Sequence, residues 1–264
     1  ASKSRHNLVS LISDHSNSIK LLSLNKIHER NYHMELITTI NLDHVAPIAF
    51  SQINEDGNLL VTGSYDGNIK FTYLDGTKPN LSIFSAPVID IELSSWKKIL
   101  VTAHEDNKIR VWNIDLRLLN EFSIDGIIDY NSEYNNPITI FIQSISVDES
   151  YNLLAITVAY LGLPSKDRNE QVYPFTSYIL LFDISDKFNQ KLIGIFTDPD
   201  YIGLSTQALQ KNSSPLITSG NNINYFKLST KILFFPRNNS NKLIVGSGTG
   251  SVFVWSLDNL PSNI

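Results

Sequence analysis

The chain has 264 residues, 42% of them hydrophobic, no cysteine and a net charge of −5. That length supports a substantial core, and the lack of cysteine excludes a disulfide framework, a thiolate zinc site and a cysteine nucleophile. The acidic balance argues against broad binding to nucleic acid or anionic lipid, and no apolar run reaches membrane-spanning length.

Taken in chain order, the sequence writes one unit several times. "LLVTGSYDGNIKFTYL" (59–74) sets two β-branched and aromatic runs around Asp66-Gly67. Asp-Gly marks a tight hairpin because Gly accepts the positive φ such a turn requires, and Ile69, Phe71 and Tyr73 alternate with Lys70 and Thr72 at the period of a strand. "ILVTAHEDNKIRVWNI" repeats the pattern with Ile109 in the place of Ile69, "LLAITVAY" and "TSYILLFDI" with Ile179, and "KLIVGSG" and "TGSVFVWSL" with Val252. Weaker copies centre on Ile19 and Ile223, so the steps are 50, 40, 70, 44 and 29 residues. "APIAFSQI", "VIDIELS", "FIQSISVD" and "TKILFFP" are expected as inner strands before a hairpin, and "MELITTINL", "NLSIFSA", "RLLNEFSI" and "QKLIGIFT" as outer strands after one. No stretch holds a helical period, so the expected class is all-β, built of four-stranded units of forty-odd residues.

"DHVAPIAFSQINEDGNLLVTGSYDGNIKF" resembles the repeat of the WD40 family of β-propellers. His44 matches the family histidine, with Asp43 in place of the usual Gly. Asp66 and Asp106 match the aspartate of the hairpin turn. Trp112 and Trp255 match the tryptophan ending the third strand, followed by Asn113 and Ser256 where the family has Asp, and Phe182-Asp183 takes that place in the fourth copy. The resemblance implies a hydrogen-bonded network of His, Asp, Ser/Thr and Trp locking each blade, since buried polar groups persist only when paired. No copy carries the full set: the second has Thr72 at the tryptophan position, and the third has "SAPV" where the histidine would fall. It also implies a single WD40-like β-propeller domain over 1–264, with four-stranded antiparallel blades. Five to seven blades are expected, and the chain is expected to omit loops or flanking segments of a longer protein, because it opens inside one hairpin and closes just after another.

Sites for chemistry are weakly written. "GSGTGS" (Gly246–Ser251) lies between strands, whereas phosphate loops lead into a helix. His28, His33, His104 and Glu105 match no metal-binding spacing, and there is no nucleophile elbow. No catalytic residue, cofactor or metal is expected. Long polar loops are the better candidates for specific surfaces. Leu161–Phe175 is the candidate partner-binding loop, with Lys166, Asp167, Arg168, Glu170, Tyr173 and Phe175; Asp125–Pro137 and Asp198–Pro215 are further loops.

The resemblance implies a non-catalytic scaffold, a protein–protein interaction subunit of a larger eukaryotic complex whose partners are other protein subunits. The location expected is intracellular, nucleus or cytoplasm, without membrane insertion or direct nucleic-acid contact. An alternative is a peptide-recognition receptor, such as a ubiquitin-ligase substrate adaptor, with a basic ring for which Lys70, Arg110 and Arg168 are the candidates. An RNA-associated propeller is a further alternative.

Overall fold

The structure is a computed structural model, and it describes residues 8–12, 17–28, 31–95, 97–127, 139–148, 152–161, 175–186, 188–197, 231–234, 242–246 and 252–256. All regular structure among them is β-strand, arranged as five antiparallel sheets in sequential order. The chain divides into two compact units, Ala1–Ile124 with Asp186–Asn189, and Asp125–Ser185 with Gln190–Ile264.

Unit one holds three sheets. The first is β1 (Leu8–Ile12), β2 (Ser18–His28) and β3 (Asn31–Asn41). The second is β4 (Ile48–Ile53), β5 (Leu59–Ser64), β6 (Asn68–Tyr73) and β7 (Leu81–Phe84). The third is β8 (Val88–Ser94), β9 (Ile99–His104), β10 (Lys108–Asn113) and β11 (Leu118–Ser123). Unit two holds β12 (Thr139–Asp148), β13 (Leu153–Leu161), β14 (Phe175–Asp183) and β15 (Lys191–Thr197) in one sheet. Its other sheet is β16 (Lys231–Phe234), β17 (Lys242–Gly246) and β18 (Val252–Ser256).

The sequence anchors fall at one structural position. Ile69, Ile109, Ile179 and Val252 each open or lie in the third strand of a sheet, opposite Gly63, Ala103, Thr157 and Gly246 of the second. Ile19 lies in the middle strand of the first sheet, between Ile12 and Ile40. Ile223 lies outside the described residues.

Strands β5 and β9 are buried at every position. A strand that alternates sides can do this only if both of its faces are covered, and stacked sheets cover both. Leu59 and Val61 join Ile69 and Phe71 of their own sheet against Val88, Ile91, Leu93, Leu100 and Trp112 of the third. Leu60, one residue out of phase, packs with Ile19, Leu21, Ile48 and Ile53 toward the first sheet. Unit two has its own core, in which Leu153, Ile179 and Leu181 meet Ile232, Phe234, Leu243 and Val245. No sheet buries both faces alone, which is the physical reason for the repeat.

The hairpin turns are written twice in one geometry. Tyr65-Asp66-Gly67 and Glu105-Asp106-Asn107 each link the second strand to the third, with Gly67 at φ 81° and Asn107 at φ 58°. Gly67 N donates to Ser64 O, and Asn107 N to His104 O. At Gly67 a Cβ would also lie 2.3 Å from Ser85 O. Gly67→Ala should therefore cost at least about 2 kcal/mol by combining strained backbone with a clash against main chain, read as a lowered urea midpoint. Asn107→Gly, where the backbone already suits Gly, should change stability by less than about 1 kcal/mol.

Candidate functional site

The second and third sheets each bury a polar network centred on one shared position, Thr62 and Thr102, forty residues apart. In the third sheet Thr102 sits mid-β9 with no exposed surface, and His104 closes the strand equally buried. Trp112 Nε1 donates to Thr102 Oγ1 at 2.8 Å. Thr102 Oγ1 lies 2.7 Å from His104 Nε2, and His104 Nδ1 lies 2.7 Å from Ala86 O. A carbonyl only accepts, so Nδ1 carries the proton and Nε2 is left as an acceptor. The Thr102 hydroxyl must then donate to Nε2 while its lone pair receives the indole N–H. The result is one directed chain, Trp112 to Thr102 to His104 to Ala86 O, with every buried polar atom paired. Burial pulls the His104 pKa down to about 4, only partly opposed by the Ala86 carbonyl and reinforced by Arg110, so the imidazole is neutral at pH 7.

The second sheet solves the same problem with different residues. His44 precedes β4; its Nε2 lies 3.0 Å from Thr62 Oγ1 and its Nδ1 3.3 Å from Asp66 Oδ2. An ionised carboxylate only accepts, so Nδ1–H points at Asp66 and Thr62 donates to Nε2. Burial lowers the His44 pKa despite the neighbouring Asp66. Burial pushes the Asp66 carboxyl up, but the amides of Asn68 and Val45, the Asn68 side chain and His44 outweigh it and hold it at about 2. Ser64, the counterpart of His104, reaches the carbonyls of Ala46 and Pro47 at 3.0 Å. Thr72 stands where the third sheet has Trp112, so this lock lacks the indole link.

Asp106 repeats one part of the work of Asp66, accepting the amide two residues on (Lys108 N, 3.3 Å), but its side-chain partner is a cation where Asp66 has a histidine. Its carboxylate takes Arg110 in a two-point pair, Nη1–Oδ1 at 3.1 Å and Nη2–Oδ2 at 2.6 Å. Arg110 Nε completes the set on Glu121 at 2.7 Å, and Lys108 holds the same Glu121 at 2.6 Å. The Arg110 side chain is 10% exposed, so this pair is largely sheltered. Arg110→Leu should lower stability by about 1–2 kcal/mol, leaving two carboxylates short of a partner. The loss, measured against wild type, should shrink as salt is raised.

The residues singled out in the sequence are placed as follows. His44, Asp66 and Thr62 meet in the second sheet, and Trp112 and Thr102 in the third. Phe182 is buried in β14, and Asp183 Oδ1 accepts the Ser185 amide at 2.7 Å, turning the chain out of the strand. Asn113 does the same with the amides of Asp115 and Arg117, so an amide oxygen serves where the family has a carboxylate. Trp255 lies in β18 opposite Leu243. Lys166, Asp167, Arg168, Glu170 and Tyr173 lie outside the described residues; Phe175 opens β14, paired with Leu161 at the base of that loop. The sequence did not reveal His104 as the lock of the third sheet. The signal was its alignment with Ser64 at the forty-residue offset, together with Phe84 where the second copy has His44, which leaves the third copy short of a histidine there.

Among the described residues no group of three or more His, Asp or Glu could hold a metal ion. Two small, open hollows lie among the described residues: one of about 220 Å³ is lined by Asp43, Lys70 and Thr72, and one of about 230 Å³ by Asn54, Asn58, Lys78 and Lys98. No described helix is long and apolar enough to cross a membrane.

Comparison with known proteins follows this geometry. The family model "WD domain, G-beta repeat" matches residues 35–71 and 79–113, each segment running from an outer strand through the third strand of the next sheet. No curated protein matches the chain. Among solved structures, a chain of "Crystal Structure of Mitotic Checkpoint Complex" is similar with a TM-score of 0.60 and 12% identity, over 97% of this chain and 60% of that one. This chain thus spans less than two thirds of that protein's length. Residues 35–71 and 79–113 thus match WD40 repeats, and the fold is that of a WD40 β-propeller.

Proposed function

We propose that the chain is a non-catalytic scaffold, a protein–protein interaction subunit of a larger eukaryotic complex in the nucleus or cytoplasm, its partners being other protein subunits. The observation that carries this reading is how the polar residues of the second and third sheets are used. His44, Thr62, Thr102, His104 and Trp112 hold one another or the main chain, and none is set as an acid, base or nucleophile in a cleft. Rigid sheets with engaged interiors leave their turns and links to meet a partner. That the similar solved chain belongs to a complex supports a subunit role; the fold, shared with 1075 solved chains, does not by itself choose the task. Arg110, a candidate for a basic recognition ring, is committed to Asp106 and Glu121, which favours the scaffold over a receptor for acidic peptides. The test is affinity purification of the full chain from cell extract with mass spectrometry. A stoichiometric set of proteins is expected. A purified chain that retains no partner and turns over a substrate would overturn the reading.

A further inference from the structure

We infer that Val45, Tyr65 and Phe84 form the contact surface for a segment of a partner protein that sets an apolar side chain beside a lysine or arginine. This inference rests on the interaction-subunit reading and names the surface and the partner's chemistry. The three side chains are 89%, 40% and 75% exposed. Isolated exposed apolar residues are ordinary, but a group on one ledge of a soluble surface marks a contact site, and exposed aromatics are the residue types that dominate binding energy.

The ledge is held before any partner arrives. Val45 N donates to Asp66 Oδ2 at 2.7 Å, Tyr65 N to Pro47 O at 3.4 Å, and Ser85 N to Gly67 O at 2.7 Å. The edge of the Phe84 ring lies over Gly67, 3.1 Å from where a Cβ would stand. Three separate segments are thereby stitched into one surface, so binding needs little further ordering of backbone.

The charge around the ledge decides what it fits. Asp43 stands two residues before Val45, and Glu105 is the turn residue whose amide is bonded to Pro87 O, three residues beyond Phe84. Asp66 and Asp106 lie in the same two turns. The nearby cations are Lys70, which lines a hollow with Asp43, and Lys108 and Arg110, both already held by Glu121 and Asp106. Two of these three cations are thus already paired, and neither Asp43 nor Glu105 is in an ion pair among the described residues. An apolar ledge with an acidic rim is complementary to an apolar side chain flanked by basic ones.

The test is selection of a random peptide phage library on the full chain, followed by fluorescence anisotropy with the enriched peptide made synthetically. Enriched peptides should carry an apolar residue within about three positions of Lys or Arg. Their affinity should fall at least about tenfold in Phe84→Ser and in Val45→Ser. It should fall several-fold in the Asp43→Asn/Glu105→Gln double variant and at raised salt. All four positions are at the surface, and circular dichroism checks that the variants fold. No enrichment, enrichment of acidic peptides, or affinity unchanged in both Phe84→Ser and Val45→Ser would overturn the inference. Repeating the affinity purification with Phe84→Ser separates the two readings. Partners kept in full by the variant refute this ledge while the interaction role stands, whereas no partner with wild type refutes that role itself.

Discussion

Replacing Thr102 by Val should destabilise the protein by about 2–4 kcal/mol although the side chain keeps its shape and volume. Among the described residues the hydroxyl is the one link between the Trp112 indole and the His104 imidazole. Its removal strands a buried donor and a buried acceptor at once, and each unsatisfied group costs about 1–3 kcal/mol. Water cannot easily replace it, because Thr102, His104 and Trp112 are at most 3% exposed. Thr102→Ser keeps the hydroxyl and should lose about 1 kcal/mol or less, the share of one methyl group. A double-mutant cycle with Trp112→Phe sharpens the result. Phe removes the donor that Val leaves stranded, so the two losses should sum to about 1 kcal/mol more than the double variant shows. Urea unfolding followed by circular dichroism reads wild type and all the variants. A Thr102→Val midpoint equal to wild type would show that the chain of bonds contributes nothing to holding the third sheet.

The strand pattern was legible because its causes are local. Alternation at Ile69, Phe71 and Tyr73, and at Ile109 and Val111, follows from a strand with two different faces. Asp66-Gly67 announces a turn by the φ that only Gly adopts freely. The strands therefore show within a single hairpin such as residues 59–74, and the forty-residue repeat multiplies the signal. The polar locks are different, because their members meet across 18 to 22 residues of chain in the second sheet. In the sequence His104 stands only beside Glu105 and Asp106 in no metal-binding spacing, and nothing local says that its ring turns inward to Thr102. Asp106 was matched to the turn aspartate by position alone. Its side-chain partner, Arg110, occupies the place of Lys70, and Phe84 stands where the second sheet has His44, so the carboxylate meets a planar cation where Asp66 meets an imidazole. A motif matched by position therefore fixes where a residue sits, while the partners it meets depend on substitutions elsewhere in the sheet.

The same network predicts acid sensitivity in a defined window. His104 titrates near 4 in the folded chain and near about 6.5 when unfolded, so between those values the unfolded state binds the extra proton. Stability then rises with pH across the window. This contribution is complete above about pH 6.5 and is lost as pH falls through the folded value. At about 1.4 kcal/mol per pH unit, the loss should reach about 2 kcal/mol near pH 5 and about 3 kcal/mol below pH 4. His44, lowered by its own burial, acts in the same direction. Asp66 acts elsewhere: its carboxyl is held at about 2, so its share persists above the ordinary carboxylate range and fades only as pH falls toward 2. The His104→Ser variant isolates the first effect, because Ser is the residue that the second sheet uses at this position, bonded to the equivalent carbonyl. It should be less stable than wild type at pH 7, where Thr102 loses its short bond to the imidazole and keeps only the longer one to Arg110 O at 3.4 Å, yet flatter between pH 6.5 and 4.5. Urea midpoints across that range measure the slope. An unchanged slope in His104→Ser would place the titrating group elsewhere, and an unchanged wild-type midpoint would mean that the buried imidazole accepts its proton without loosening the sheet.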